Sequence, residues 1–244
     1  MPLAIDKVCL EGMSELAGFL FSVVLTDTQK DFSDPRIAQI LSLENLELNT
    51  FLLFDRLMKV KMKEFYRFED KTQVKKKEIP INRKSGLIFK RLVRSLDEPF
   101  FQHLESLKFQ PIISCLKWVR LLFLREFEIT QSLLVWDFLL KQINFKTEVF
   151  DFKNNRVLKE DNSSVLYFDI LDFLCAALYF KQRENLMNQQ TEISVVQVLQ
   201  ENLNCPAVEI LLLCENLMRS FIRKIRFGSR KGKREGIRKV PGGR

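Results

Sequence analysis

The stretch from Phe109 to Leu140, FQPIISCLKWVRLLFLREFEITQSLLVWDFLL, holds both tryptophans of the chain, Trp118 and Trp136. Ile112 to Phe127 is apolar on most faces, with Lys117, Arg120, Arg125 and Glu126 as exceptions. Leu133 to Leu140 is almost wholly apolar around Asp137. A helix that is apolar all round has no face to give to water, so the two segments are predicted to be coupled helices at the centre of a core. The rest of the chain must cover them.

The flanking sequence is helical in period. Met13, Leu16, Ala17, Leu20, Phe21 and Val24 recur at three- and four-residue steps between Met13 and Leu25. Leu46, Thr50, Leu53, Phe54, Leu57 and Met58 do the same between Leu43 and Phe65. Asp97-Glu98-Pro99 starts a further helix, because proline at the first turn loses no needed N–H and acids suit the positive helix end. Ser163-Ser164 is expected to cap a helix from Val165 to Leu186, followed by shorter helices over Glu192–Leu203 and Pro206–Ile225. Two polar stretches, about 67–86 and 144–162, read as long loops, with a helix restarting near Leu87. No strand-like alternation of any length occurs, so the fold class is predicted to be all-α.

Composition narrows the function classes. With 244 residues and 46% hydrophobic content the chain can bury a sizeable core. Cys9, Cys115, Cys175, Cys205 and Cys214 form no CxxC pair and read as small core residues in a reducing compartment. The single histidine, His103, leaves triad catalysis and histidine metal sites little to build on, and no metal or cofactor is expected. Asp169 and Asp172 share a helix face but read as a capping or solvated pair rather than as a catalytic dyad. Neither GxxxxGK followed by Ser or Thr nor GxGxxG is present, so a nucleotide would have to be carried by a partner.

The net charge of +8 is local. Residues 219–244 carry eleven Lys or Arg against Glu235, a charge of +10 that leaves −2 for residues 1–218. This tail is expected to be disordered. Arg223, Lys224, Arg226, Arg230, Lys231, Lys233 and Arg234 are its candidate contacts with an anionic membrane or another polyanion. A nucleic-acid role is disfavoured, because no aromatic residue follows Phe227. A solvated end without a partner is the bland alternative.

The order of motifs resembles the second half of the TBC domain, the Rab GTPase-activating family. That half runs from a YxQGM element through a DxxLxxHL-like block, a proline and a tryptophan to LFxREF and WD. Here stand Glu11-Gly12-Met13, Asp97 with His103-Leu104, Pro111, Trp118, Leu122-Phe123, Arg125-Glu126-Phe127 and Trp136-Asp137, in that order. Leu171-Asp172-Phe173 with Ala176-Ala177-Leu178 resembles the next helix, and the long inserts look closest to the subgroup of TBC domain family member five. The resemblance implies a helical domain over residues 1–218 that meets a GTP-bound Rab-family GTPase in vesicle traffic. The place it implies is cytoplasmic, peripheral on endosomal or other vesicle membranes. Gly12, Met13, Trp118, Arg125, Phe127, Trp136 and Asp137 are its structural signature. Arg125 and Asp137 could pair with each other, or each could cap or bond backbone groups.

The same resemblance places activity in two fingers, an arginine from an IxxDxxR element upstream and the glutamine of YxQGM. Glu11 occupies the glutamine position and Cys9 the tyrosine position, while only eight residues precede Cys9. An ionised carboxylate accepts hydrogen bonds but donates none, and its charge is repelled by a γ-phosphate. The expectation is therefore the C-terminal part of an activating domain, weak or inactive for want of the arginine, with Glu11 as an altered catalytic position. A noncatalytic helical Rab-binding or trafficking scaffold is the alternative, and a basic nucleic-acid-binding protein the third. A start-site artefact, in which Glu11 never approaches a nucleotide, stands beside them.

Overall fold

The computed structural model describes residues 12–62, 65–66, 80–143, 149–151, 156–158, 168–201 and 203–236, with side chains along the last helix described as far as Lys224. The chain separates into two compact units, residues 1–80 with 117–125 and residues 81–116 with 126–244.

In the first unit, α1 (Met13–Thr28) packs on α3 (Leu46–Leu57), preceded by the short α2 (Pro35–Ile40). Leu16, Phe19, Leu20 and Val24 of α1 are buried, as the helical period predicts. On α3 the buried face is narrower than expected. Leu46, Thr50 and Leu57 are buried, whereas Leu53 is 48% exposed. The expected continuous helix from Leu43 to Phe65 instead starts as a 3-10 turn, Leu43–Asn45, and widens into a π-helical turn over Met58–Met62. The α2 helix was not legible in the apolar period. Its start is a local device, the Asp34 carboxylate accepting from the Arg36 N–H with Pro35 at the first turn.

The second unit starts earlier than its sequence suggests. Helix α4 spans Pro80–Leu87, inside the segment read as a loop; it runs through a π-helical turn, Ile88–Val93, into α5 (Arg94–Leu96). Residues 67–79 of that loop lie outside the described residues. The cause is burial: Ile81 and Ser85 are each 2% exposed. Lys84 reaches a carboxylate, with Nζ 2.6 Å from Asp172 and 3.4 Å from Asp169. Although burial penalises the ammonium, the two carboxylates hold Lys84 protonated well above the usual lysine range. Burial pushes the Asp172 carboxyl up to about 7, with Lys84 pulling against it.

Helix α6 (Glu98–Ser106) begins as predicted, with the Asp97 carboxylate accepting from the Phe100 N–H at 3.0 Å. Helix α9 (Ile170–Lys181) is buried along almost its whole length, as an all-apolar helix must be. Its cap is Asp169, in a reciprocal box with Asp172, so the capping reading of that pair holds. Ser163-Ser164 lie outside the described residues. Phe89 anchors the core, 5.1 Å from the Phe101 ring centre, 5.8 Å from Phe109 and 6.3 Å from Tyr179. The Ser114 and Tyr179 hydroxyls meet at 2.6 Å within it.

The second predicted loop contains two strands, β1 (Val149–Asp151) and β2 (Arg156–Leu158), paired antiparallel in a hairpin within an otherwise helical fold. Beyond α9 come α10 (Arg183–Met187), α11 (Glu192–Gln200) and α12 (Ala207–Gly236). Helix α12 corrects the disordered tail, because its backbone stays helical to Gly236 and Phe221 is buried on it. Residues 237–244 lie outside the described residues. Among the described residues no helix is long and apolar enough to cross a membrane.

In the signature pair the first helix is shorter and the second longer than the apolar content implied. Helix α7 covers Ile112–Arg120, and α8 covers Ile129–Ile143. Residues 121–126 turn between them, with Leu122 at φ +47° and Phe123 at φ +65°. The Phe123 N–H bonds the Trp118 carbonyl at 3.0 Å, closing α7 in the six-to-one pattern usually built on glycine. Apolar periodicity cannot see such a stop, because both reversed residues are core residues, 3% and 1% exposed.

Candidate functional site

The first unit gathers three pieces of chain at the start of α1. Gly12 precedes the helix in a left-handed conformation, φ +93°, and is buried. A Cβ there would lie 2.7 Å from Leu121 Cδ2 and 3.2 Å from the Tyr66 hydroxyl. Both the sign of φ and the available space therefore call for glycine.

Tyr66 locks the neighbouring turn. Its hydroxyl donates to the Arg120 carbonyl at 2.7 Å, and Arg120 Nε donates in return to the Phe65 carbonyl at 3.1 Å. The Arg120 guanidinium also lies 5.7 Å from the Tyr66 ring centre. Burial pushes the Tyr66 hydroxyl up to about 12, so it remains a donor across the neutral range.

A second tie joins the turn to the helix. Arg125 donates to both Glu15 oxygens, Nε at 2.9 Å and Nη2 at 2.6 Å. This fork geometry fixes orientation as well as distance. The Arg125 guanidinium holds the Glu15 carboxyl below the usual carboxylate range. Of the roles left open for Arg125, the structure shows an ion pair with Glu15, and Asp137 is exposed on α8.

Among the described residues the arrangement contains no nucleophile poised beside a base. It holds the Gly12 backbone at the entry to α1. Glu11 itself lies outside the described residues. Met13 is half-buried as the first residue of α1, Trp118 and Trp136 are buried, and Phe127 is half-buried with its carbonyl accepting from Ser132 Oγ at 3.3 Å. These are packing roles. Arg223 and Lys224 are exposed on α12; the side chains of Arg226, Arg230, Lys231, Lys233 and Arg234 lie outside the described residues.

Sequence reasoning missed Tyr66, Arg120 and Glu15. Arg120 gave the one available signal, a cation interrupting an otherwise apolar helix; nothing in the sequence near Tyr66 marks it. His103 has a structural contact, Nε2 lying 3.2 Å from the Leu186 carbonyl. Among the described residues no three His, Cys, Asp or Glu side chains cluster as metal ligands would.

Comparison with known proteins agrees with the motif order. The family model of the Rab-GTPase-TBC domain matches residues 9–156. The chain is 32% identical over 150 residues to TBC1 domain family member 5 of Homo sapiens, covering 52% of this chain and 19% of that protein. It is 30% identical over 100 residues to TBC1 domain family member 5 homolog B of Dictyostelium discoideum, covering 41% and 8%. The chain thus spans less than a fifth of the length of the curated relatives it matches. The fold is like that of the Ypt/Rab-GAP domain of Gyp1p, with TM-score 0.59 at 18% identity over 86% of this chain and 58% of that one.

Proposed function

We propose, on the premise that the chain belongs to the Rab-GTPase-TBC domain family, that it acts on a GTP-bound Rab-type GTPase in vesicle traffic. The start of α1 is the part that faces the nucleotide. The observation supporting this is the clamp around Gly12, in which a glycine required by both conformation and space is braced by Tyr66 and Leu121. Such bracing suits a helix start that must be held still.

A GTPase hydrolyses slowly until charge on the transferring phosphoryl group is stabilised and the attacking water is oriented. In the proposed complex, position 11 orients the water. A glutamine there would both donate and accept; an ionised Glu11 only accepts and meets the γ-phosphate with like charge. With a carboxylate at this position, the chain binds its GTPase and activates it weakly. Its place of action is the cytoplasmic side of vesicle membranes.

Single-turnover hydrolysis by a panel of GTP-loaded Rab proteins tests the reading, with the unaltered chain and Glu11→Gln in parallel. The expected result is GTP-dependent binding, with acceleration below about tenfold that rises in Glu11→Gln. Acceleration of about a hundredfold by the unaltered chain overturns the weak-activator reading. Absence of binding to any Rab overturns the whole proposal. Binding without acceleration in either form favours a noncatalytic scaffold, the second reading that a carboxylate at position 11 supports.

A further inference from the structure

Helix α12 brings together two blocks of positive charge that are distant in sequence. Lys224 Nζ donates to the Ser95 carbonyl at 2.8 Å and the Leu96 carbonyl at 3.1 Å, at the C-terminal end of α5. A helix end with free carbonyls favours a cation there. Beside these carbonyls runs a shallow cleft lined by Lys90, Arg91, Arg94, Ser95 and Glu98. The two carboxylates nearby are engaged, Glu98 by Arg94 at 2.9 Å and Asp97 by Arg183 at 2.7 Å. Lys90 and Arg91 are exposed.

The helix has its own order of charge. Arg219, Arg223, Arg226, Arg230 and Lys233 follow one another at steps of four, three, four and three, the spacing of one helix face. Arg219 pairs with Glu215 at 3.2 Å, while Arg223 is exposed. Phe221 anchors the other side, its ring centre 5.5 Å from Phe168 and 5.7 Å from Phe173. Ile222, next to Arg223, is 41% exposed.

We propose that this composite basic face, Arg223 and the cationic turns after it together with Lys90 and Arg91, docks on an anionic phospholipid membrane. The cations are spread from Arg219 to Lys233 over about 21 Å of helix, the span of a plane of headgroups rather than of one small anion. A basic helix with an apolar residue at the edge of its charged face is the pattern of a helix lying in a membrane interface. A nucleic-acid partner would call for aromatic platforms, and no aromatic residue follows Phe227. The face stands independently of the GTPase reading, since it uses none of the residues around Gly12.

The test is cosedimentation of the full chain with phosphatidylcholine vesicles, with and without phosphatidylserine, at low and high salt. Binding is expected only with phosphatidylserine and is expected to weaken with salt. Arg223→Gln/Arg226→Gln/Arg230→Gln lowers vesicle partition by about a hundredfold, and Lys90→Gln/Arg91→Gln by about tenfold. Circular dichroism checks that both variants keep the helical content of the parent. Equal binding to neutral vesicles, or undiminished binding by the triple variant, overturns the proposal. Undiminished binding by the Lys90/Arg91 variant overturns its composite character. Retention on a DNA oligonucleotide or an acidic peptide without vesicle binding overturns the membrane as the partner.

Discussion

Polar side chains are used differently in the two compact units. In the second, Lys84 and Asp172 lie deep in the packing, 2.6 Å apart, with side chains 16% and 2% exposed. In the first, the bonds around Gly12 run partly to backbone carbonyls and partly through an open ion pair, Arg125 with Glu15, whose side chains are 52% and 36% exposed. A buried charge is a commitment of the fold, since removing one partner strands the other away from water. A half-exposed clamp contributes little to stability and instead holds a segment in place. The two units therefore respond to different measurements.

The largest expected effect lies in the buried pair. Lys84→Met leaves Asp172 beneath the packing with its cation gone, and denaturant unfolding is expected to show a loss of about 3–5 kcal/mol. Changing both partners, Lys84→Met with Asp172→Asn, should recover part of that loss because no ionised group is then stranded. A loss below about 1 kcal/mol for Lys84→Met would erase the distinction between the units.

Gly12→Ala tests the first unit at its most constrained point. The added Cβ meets Leu121 Cδ2 at 2.7 Å and must adopt φ +93°, so a destabilisation of about 2 kcal/mol is expected. Affinity for a GTP-loaded Rab should fall with it, under conditions where the variant remains folded. If affinity follows global stability alone, so that Lys84→Met weakens it equally at matched stability, the clamp has no positional role.

Sequence legibility divides along the same line. The all-α class, the cap at Asp97 and the burial of Trp118 and Trp136 were readable because each rests on local spacing or on apolar period; the Asp169–Asp172 pair was read as capping or solvated, with the helix start placed at Ser163-Ser164 instead of Asp169. Lys84 was misread as loop because a single charged residue carries no mark of its partner 88 positions later in the chain. A helix over Pro206–Ile225 was expected, but its continuation to Gly236 was read as disorder because charge density and glycine argue against order there. At the candidate site, Gly12 was identified through the motif order. Tyr66 and Glu15 were not, since their roles depend on where residues 120–125 return in space.

Tyr66→Phe refines the comparison by removing one bond and nothing else. The Arg120 carbonyl loses its donor, and a cost of about 1 kcal/mol is expected in denaturant unfolding. The same hydroxyl predicts a pH effect. Its folded pKa of about 12 lies above the ordinary 10.0, so the folded state retains a proton that the unfolded chain releases between those values. This contribution is fully present below pH 10 and declines as pH rises toward 12. Tyr66→Phe should flatten that part of the stability curve; an unchanged alkaline slope would place the effect on another group.

The smallest stability effect, and the sharpest separation of stability from position, is expected at Arg125→Gln. An exposed ion pair contributes about 0.2–1 kcal/mol, so unfolding should barely change. The pH sign is opposite to that of Tyr66. Glu15 has a folded pKa below its ordinary 4.5, so its contribution is present above that value and is lost as pH falls through the lower folded one. Arg125→Gln should remove that acidic dependence while leaving neutral stability nearly intact. Because the same guanidinium ties the 121–126 turn to the first turn of α1, Rab affinity should fall several-fold more than the stability change accounts for. If both changes remain within the small stability term, the Glu15–Arg125 pair is surface decoration, and the bracing of Gly12 by Leu121 and Tyr66 does not depend on it.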